Sequence, residues 1–104
     1  MTQEDKINKA IEELFKREQF YQEKRMAYAE AEYDYRVGYA VAFGKAEGTA
    51  EGRKQEAMEK VAEKLRAREL SEAESDIAYQ LLQDCRQVLS ARQSLLKTSL
   101  ERGV

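Results

Sequence analysis

The 104-residue sequence predicts an all-α protein, a long antiparallel helical hairpin assembling into a coiled-coil-like homo-oligomer of more than two subunits. Three observations predict it. The chain has no proline and is rich in Ala, Glu, Lys, Arg, Gln and Leu, with 37% of residues charged. That composition belongs to long helices and coiled coils. Ile7, Leu14, Tyr21, Tyr28, Tyr35 and Ala42 recur every seven residues, nearly two helical turns, and so line one stripe. Glycines then gather at Gly44, Gly48 and Gly52, where the chain can turn.

The first helix is read over residues 4–43, about 60 Å long at ~1.5 Å per residue. Ile11 and Tyr39 thicken its stripe at i+4 spacing. A turn over residues 44–49 ends it, with Gly44 as the left-handed residue that closes a helix. Thr49 is a suitable N-cap for the next helix, read over residues 50–102. Met58, Val61, Ala62 and Leu65 begin its apolar face. At "LSEAES" that face lapses, and Ser71 with Glu74 fits a capping box, so the helix either breaks near Ser71 or runs through it. From Ile77 onward two adjacent seams run together, wider than a two-stranded coil requires. The whole chain, 1–104, is read as one helical domain.

Strong apolar residues are few: Val, Ile, Leu, Met and Phe number 23, while alanine alone numbers 14. A short chain with so thin a core is marginal alone, and burying surface between subunits is the usual remedy. The residues expected at that interface are Tyr35, Phe43, Leu81, Leu82, Leu89, Leu95 and Leu96.

The absent residue types narrow the function. There is no histidine, which removes the commonest general base and the commonest metal ligand. Cys85 is the only cysteine, so neither a zinc cluster nor an intrachain disulfide is expected. It falls in an apolar stripe and is expected to be buried and inert. "GKAEGT" lacks the G-x-x-x-x-G-K-[ST] order of a phosphate loop and follows no strand. Neither a catalytic residue, a cofactor nor a metal is expected, and the chain reads as a non-enzyme. The N-terminal stretch is charged throughout, unlike a signal peptide, and no segment is apolar enough for a membrane span. A reducing cytoplasm fits.

The net charge of −2 conceals a gradient, from 8 basic and 11 acidic residues in 1–52 to 10 basic and 9 acidic in 53–104. Neither half demands nucleic acid, so any anion site is a local patch or one repeated around an assembly. The sharpest local feature is "YAEAEYDYRVGYAVAFGKAEGTAEGR", with five aromatics crowded before the glycines. One reading packs these rings against the second helix and neighbouring subunits, since tyrosine has an apolar body and a hydroxyl that can stay wet. The other makes them a stacking platform for single-stranded nucleic acid, with nearby cations holding phosphates. On that reading the binding residues are Arg36, Tyr39, Lys45, Arg53 and Lys54, with Asp34, Glu47 and Glu51 working against them.

The run "YDYRVGYAVAF", the turn "GKAEGTAEGR" and the later "LLQDCRQVLSARQSLLKTSLE" together resemble the UvsY-like phage recombination mediators and their shorter helical relatives. The matching positions are Arg36, Tyr39 and Phe43 before Gly44, then Leu82, Cys85, Val88, Leu89 and Arg92. The basic motif is thinner here, with only Arg36 and Lys45 flanking the aromatics. The resemblance, over roughly residues 20–104, implies a ring-shaped homo-oligomer that binds single-stranded DNA. Its implied partners are a recombinase and a single-strand-binding protein, the first being helped to replace the second in DNA recombination. Two other classes stay open: a phage inhibitor or adaptor that binds a host protein, such as an anti-defence factor, and a coiled-coil structural assembly factor.

Overall fold

The structure, a computed structural model, describes residues 1–103. It is all helical: α1 spans Gln3–Lys45, α2 Ala50–Lys60 and α3 Ala62–Glu101. No strand occurs among the described residues. The chain packs as two compact units, where the sequence reads as one domain. The first is Met1–Glu23 with the chain from Asp76 onward; the second is Lys24–Ser75. The boundary falls inside α1 and α3, both of which continue through it as unbroken helix.

Of the two courses open at Ser71 the helix takes the second, running through it inside α3, and the interruption falls instead at Val61. Val61 leaves helical geometry (φ −105°, ψ 13°), yet its N–H still donates to the Ala57 carbonyl at 3.1 Å and its own carbonyl accepts from Leu65. This is a local dislocation of the helix rather than a turn. The stripe lapses around Ser71 because α3 meets α1 there through polar contacts. Lys24 Nζ lies 2.9 Å from Glu74, Arg68 3.4 Å from Glu32, and the Arg68 guanidinium 5.0 Å over the Tyr35 ring. A missing apolar residue therefore marks a change in the contacts, and the helix continues.

The glycine assignment moves as well. α1 runs through Gly44 to Lys45, and the left-handed residue is Gly48, at φ +112°. Thr49 caps α2 as expected, its hydroxyl accepting from the Gly52 N–H at 3.2 Å.

In the unit of Lys24–Ser75 the α1 segment runs antiparallel to α2 and the first turns of α3. Lys24 meets Glu74, Glu32 meets Arg68, Tyr35 meets Met58 and Phe43 meets Arg53. Its core is made of small residues. Ala42, Ala57 and Val61 are buried, and Tyr35, Tyr39 and Phe43 pack over them. Ala57 is 0% exposed. Small side chains let the helices approach closely, and the rings then cover the seam from one side.

The unit holding Met1–Glu23 is more conventionally aliphatic. Ala78 and Leu82 are buried, the Tyr21 and Tyr79 rings meet tilted by 56° at 5.5 Å, and Arg86 reaches Glu18 at 3.8 Å. α1 opens on a reciprocal cap. The Thr2 N–H donates to Asp5 Oδ2 and the Asp5 N–H to Thr2 Oγ1, both at 3.1 Å.

Candidate nucleic-acid interface

The five residues expected to contact a strand do not converge. Tyr39 is half-buried, its ring 6.4 Å from Tyr35 and 6.1 Å from Phe43, nearly parallel to the latter at 20°. All three rings lie on the Ala42–Ala57–Val61 core, so Tyr39 is a packing residue in this chain. Arg53 is occupied too. Its Nη2 donates to the Phe43 carbonyl at 3.0 Å and its guanidinium lies 4.3 Å over the Phe43 ring, tying the start of α2 to the end of α1. Arg36 is exposed and paired with Glu32 at 2.7 Å. Lys45 and Lys54 are exposed.

The structure gathers a different set. Lys45, Lys60 and Lys64 rim a groove of about 360 Å³ whose floor is Val37, Gly38 and Val41, backed by the core residues Ala42 and Val61. The helical phase explains the arrangement. Val37, Gly38, Val41 and Lys45 lie on the side of α1 that meets the α2–α3 junction, and Lys60 and Lys64 flank the dislocation at Val61. Gly38 has a specific role. A Cβ there would come within 3.1 Å of both Cδ and Nζ of Lys64 and 3.3 Å of Val61 Cγ1. The bare backbone thus seats the Lys64 side chain. Among the described residues no carboxylate lines this groove, although Lys60 pairs with Glu56 at 3.4 Å. The unit as a whole carries 10 basic and 11 acidic side chains, so the positive character is local.

Tyr33 stands beside the groove, one helical turn before Val37, and is 67% exposed. It is the aromatic residue here with a free face. The set expected from the sequence leaves out Tyr33, Lys60 and Lys64. The i, i+4 spacing of the two lysines, within what the sequence reads as one helix, is the available signal.

The expected interface residues divide. Leu82 is corrected: at 2% exposure it belongs to the internal core beside Ala78 and has no surface to offer a second subunit. Tyr35 and Phe43 are half-buried on their own core, and Leu81, Leu89 and Leu96 are also half-buried. Leu95 is exposed, as are Ile77 and Val88 on the same side of α3. Cys85, expected to be buried, is half-buried and free. It lines an apolar groove of about 220 Å³ with Leu81 and Val88, where the short Ala10 on α1 leaves it uncovered.

Among the described residues no group of three or more Asp, Glu or Cys side chains is placed to hold a metal ion. No described helix is long and apolar enough to cross a membrane. Comparison with known proteins brings out no match: no family model, no curated relative and no solved structure aligns with the chain.

Proposed function

We propose that this chain is a non-enzymatic, self-associating helical hairpin that binds single-stranded DNA through the Lys45–Lys60–Lys64 groove and the neighbouring Tyr33 ring. The observation that carries this reading is the groove itself. Three cations stand over an apolar floor with an exposed aromatic one turn away, the combination by which single strands are held without regard to sequence. The resemblance to UvsY-like mediators points the same way and supplies the role, helping a recombinase replace single-strand-binding protein. Self-association has support in the exposed aliphatics Ile77, Val88 and Leu95 on a chain with few buried large side chains.

One groove on a subunit of net negative charge binds a strand weakly. Several grooves on one strand gain by effective concentration, about 10²–10⁴ over a single site. Fluorescence anisotropy with a labelled oligothymidylate tests the reading. Binding is expected to be strong at low salt, to weaken steeply as salt rises and to be indifferent to base sequence. Absence of binding to a long strand at low salt overturns it. The apolar groove at Leu81, Cys85 and Val88 favours the second reading, an adaptor or inhibitor that docks a protein partner, which a failed DNA test would bring forward.

A further inference from the structure

The lysine groove has a matching ligand on the surface of its own chain. On α1, Met26, Tyr33, Val37 and Gly44 fall within an arc of about 40° at ~100° per residue. Ala29 and Ala40 lie at its edge, and none of these six positions is charged. Met26 and Tyr33 are about two-thirds exposed, and Val37 and Val41 are open as well. An uncharged strip this long on so charged a chain is a face shaped for cover. Glu30 and Asp34 are exposed on one shoulder of the strip, with no ion pair to another described residue. That is the shoulder from which Val41 and Lys45 also project, about two to four turns further along.

We infer that a second copy of this chain occupies the groove, the two α1 segments pairing antiparallel about a two-fold axis at Val37. Such an axis sets residue n opposite residue 74 − n, so Tyr33 of each copy lies at the level of Val41 in the other. Its ring packs over Ala40 and Gly44, the small residues on its own side of the strip, while the opposite shoulder brings the charges together. Glu30 comes to the level of Gly44, next to Lys45, and Asp34 to the level of Ala40, near Lys64, which rests on Gly38. A two-fold contact is self-complementary by construction: knob and hole, acid and base, occur once on each partner. A parallel pairing would bring Glu30 and Asp34 against the other shoulder, where Arg36 is already bound to Glu32. The antiparallel arrangement pairs the carboxylates that are left over within the chain with the lysines of the groove.

The inference rests on the proposed strand-binding groove and adds its regulation. Strand and second copy compete for Lys45 and Lys64, so pairing through this face holds the groove closed until a strand displaces it.

The test uses the full chain with Cys85→Ser, so that no native thiol interferes. Val37→Cys on that background is expected to form a disulfide-linked dimer under mild oxidation, with added oligothymidylate lowering the yield severalfold. Lys45→Glu with Lys64→Glu is expected to abolish the cross-link, as is Glu30→Lys with Asp34→Lys. Combining all four substitutions is expected to restore it, because acid and base exchange places across the axis. That restoration distinguishes a specific pairing from general stickiness and shows that the single sets still fold. A cross-link unaffected by the charge changes, or no cross-link at micromolar chain, overturns the inference. Strand binding by the unmutated chain is read separately by anisotropy, so failure of pairing and failure of the DNA reading remain distinguishable.

Discussion

Tyr33 and Tyr39 sit six residues apart on one helix and face opposite environments. Tyr39 lies between two other rings over Ala42, Ala57 and Val61. Tyr33 projects into solvent beside a groove rimmed by lysines. The residue type is the same, and helical phase alone divides their work: six residues at ~100° each turn the side chain by roughly 240°. A segment apolar on both faces is therefore a helix with an inner and an outer purpose. Arg53 and Lys64 repeat the contrast among the cations. The first is bound to the Phe43 carbonyl and ring, while the second rims the groove.

The largest expected effect comes from the outer face. Lys45→Ala, Lys60→Ala and Lys64→Ala together should weaken single-strand binding by at least about tenfold at physiological salt. The slope of log K against log salt should shrink by roughly 2, since each neutralised phosphate on a single strand contributes about 0.7. Arg53→Ala should act differently, lowering thermal stability while leaving that slope nearly unchanged, because its guanidinium already serves the turn. Equal effects on the slope would erase the distinction between the two kinds of cation.

The tyrosines give the next largest contrast. Tyr33→Ala should cost about 1–3 kcal/mol per stacked base in strand binding and leave the melting temperature unmoved. Tyr39→Ala should destabilise the fold by about 1–2 kcal/mol, a fraction of what a fully buried aromatic contributes, since the ring is half-buried. Paired thermal melts and anisotropy titrations read both. Loss of strand affinity in Tyr39→Ala at unchanged stability would reverse the assignment.

The sequence was informative where a signal is local or periodic. The stripe from Ile7 to Ala42 placed α1, and Thr49 marked the start of α2, because caps and heptads are written in neighbouring residues. The dislocation at Val61 was not legible. It arises where Val61 packs against α1 near Gly38, a long-range contact with no local marker, whereas Ser71 carried a capping pattern that tertiary packing overrode. The site was half legible. That cations and aromatics meet near the glycine turn was visible, but which of them face solvent depends on rotation about the helix to within a few tens of degrees. Lys60 and Lys64 come from beyond the turn, and only the packed structure brings them to Lys45.

A smaller effect is expected at Gly38, and it sharpens the contrast because it alters the groove without touching a charge. Alanine in mid-helix gains about 0.8–1 kcal/mol over glycine in propensity. The new methyl would press on Lys64, whose flexible end can move, and on Val61 Cγ1, which can yield by a few tenths of an ångström. Propensity should win by about 0.5 kcal/mol, raising the melting temperature slightly. Displacing Lys64 should at the same time weaken strand binding modestly, a stabilised protein that binds less well.

The smallest expected effect lies in the other unit and should leave the groove untouched. The Asp5 carboxyl is held below its usual range, first by the Thr2 backbone N–H and then by the Thr2 side chain. A depressed carboxylate pKa adds stability above the unfolded-state value, near 3.9, and loses it as pH falls through the folded value. Acidification below about pH 4 should therefore fray the first turn of α1 as the reciprocal cap opens. Amide exchange at Asp5 and Lys6 should quicken first, since their N–H groups bond to Thr2. Asp5→Asn should remove the charged part of this dependence, and Thr2→Ala should remove, at every pH, the half of the cap made by the Thr2 hydroxyl. Because Asp5 is fully exposed, neither change should move the global melting temperature measurably. A global loss of stability in Asp5→Asn would mean that the first turn of α1 carries more of this unit than its exposed cap implies.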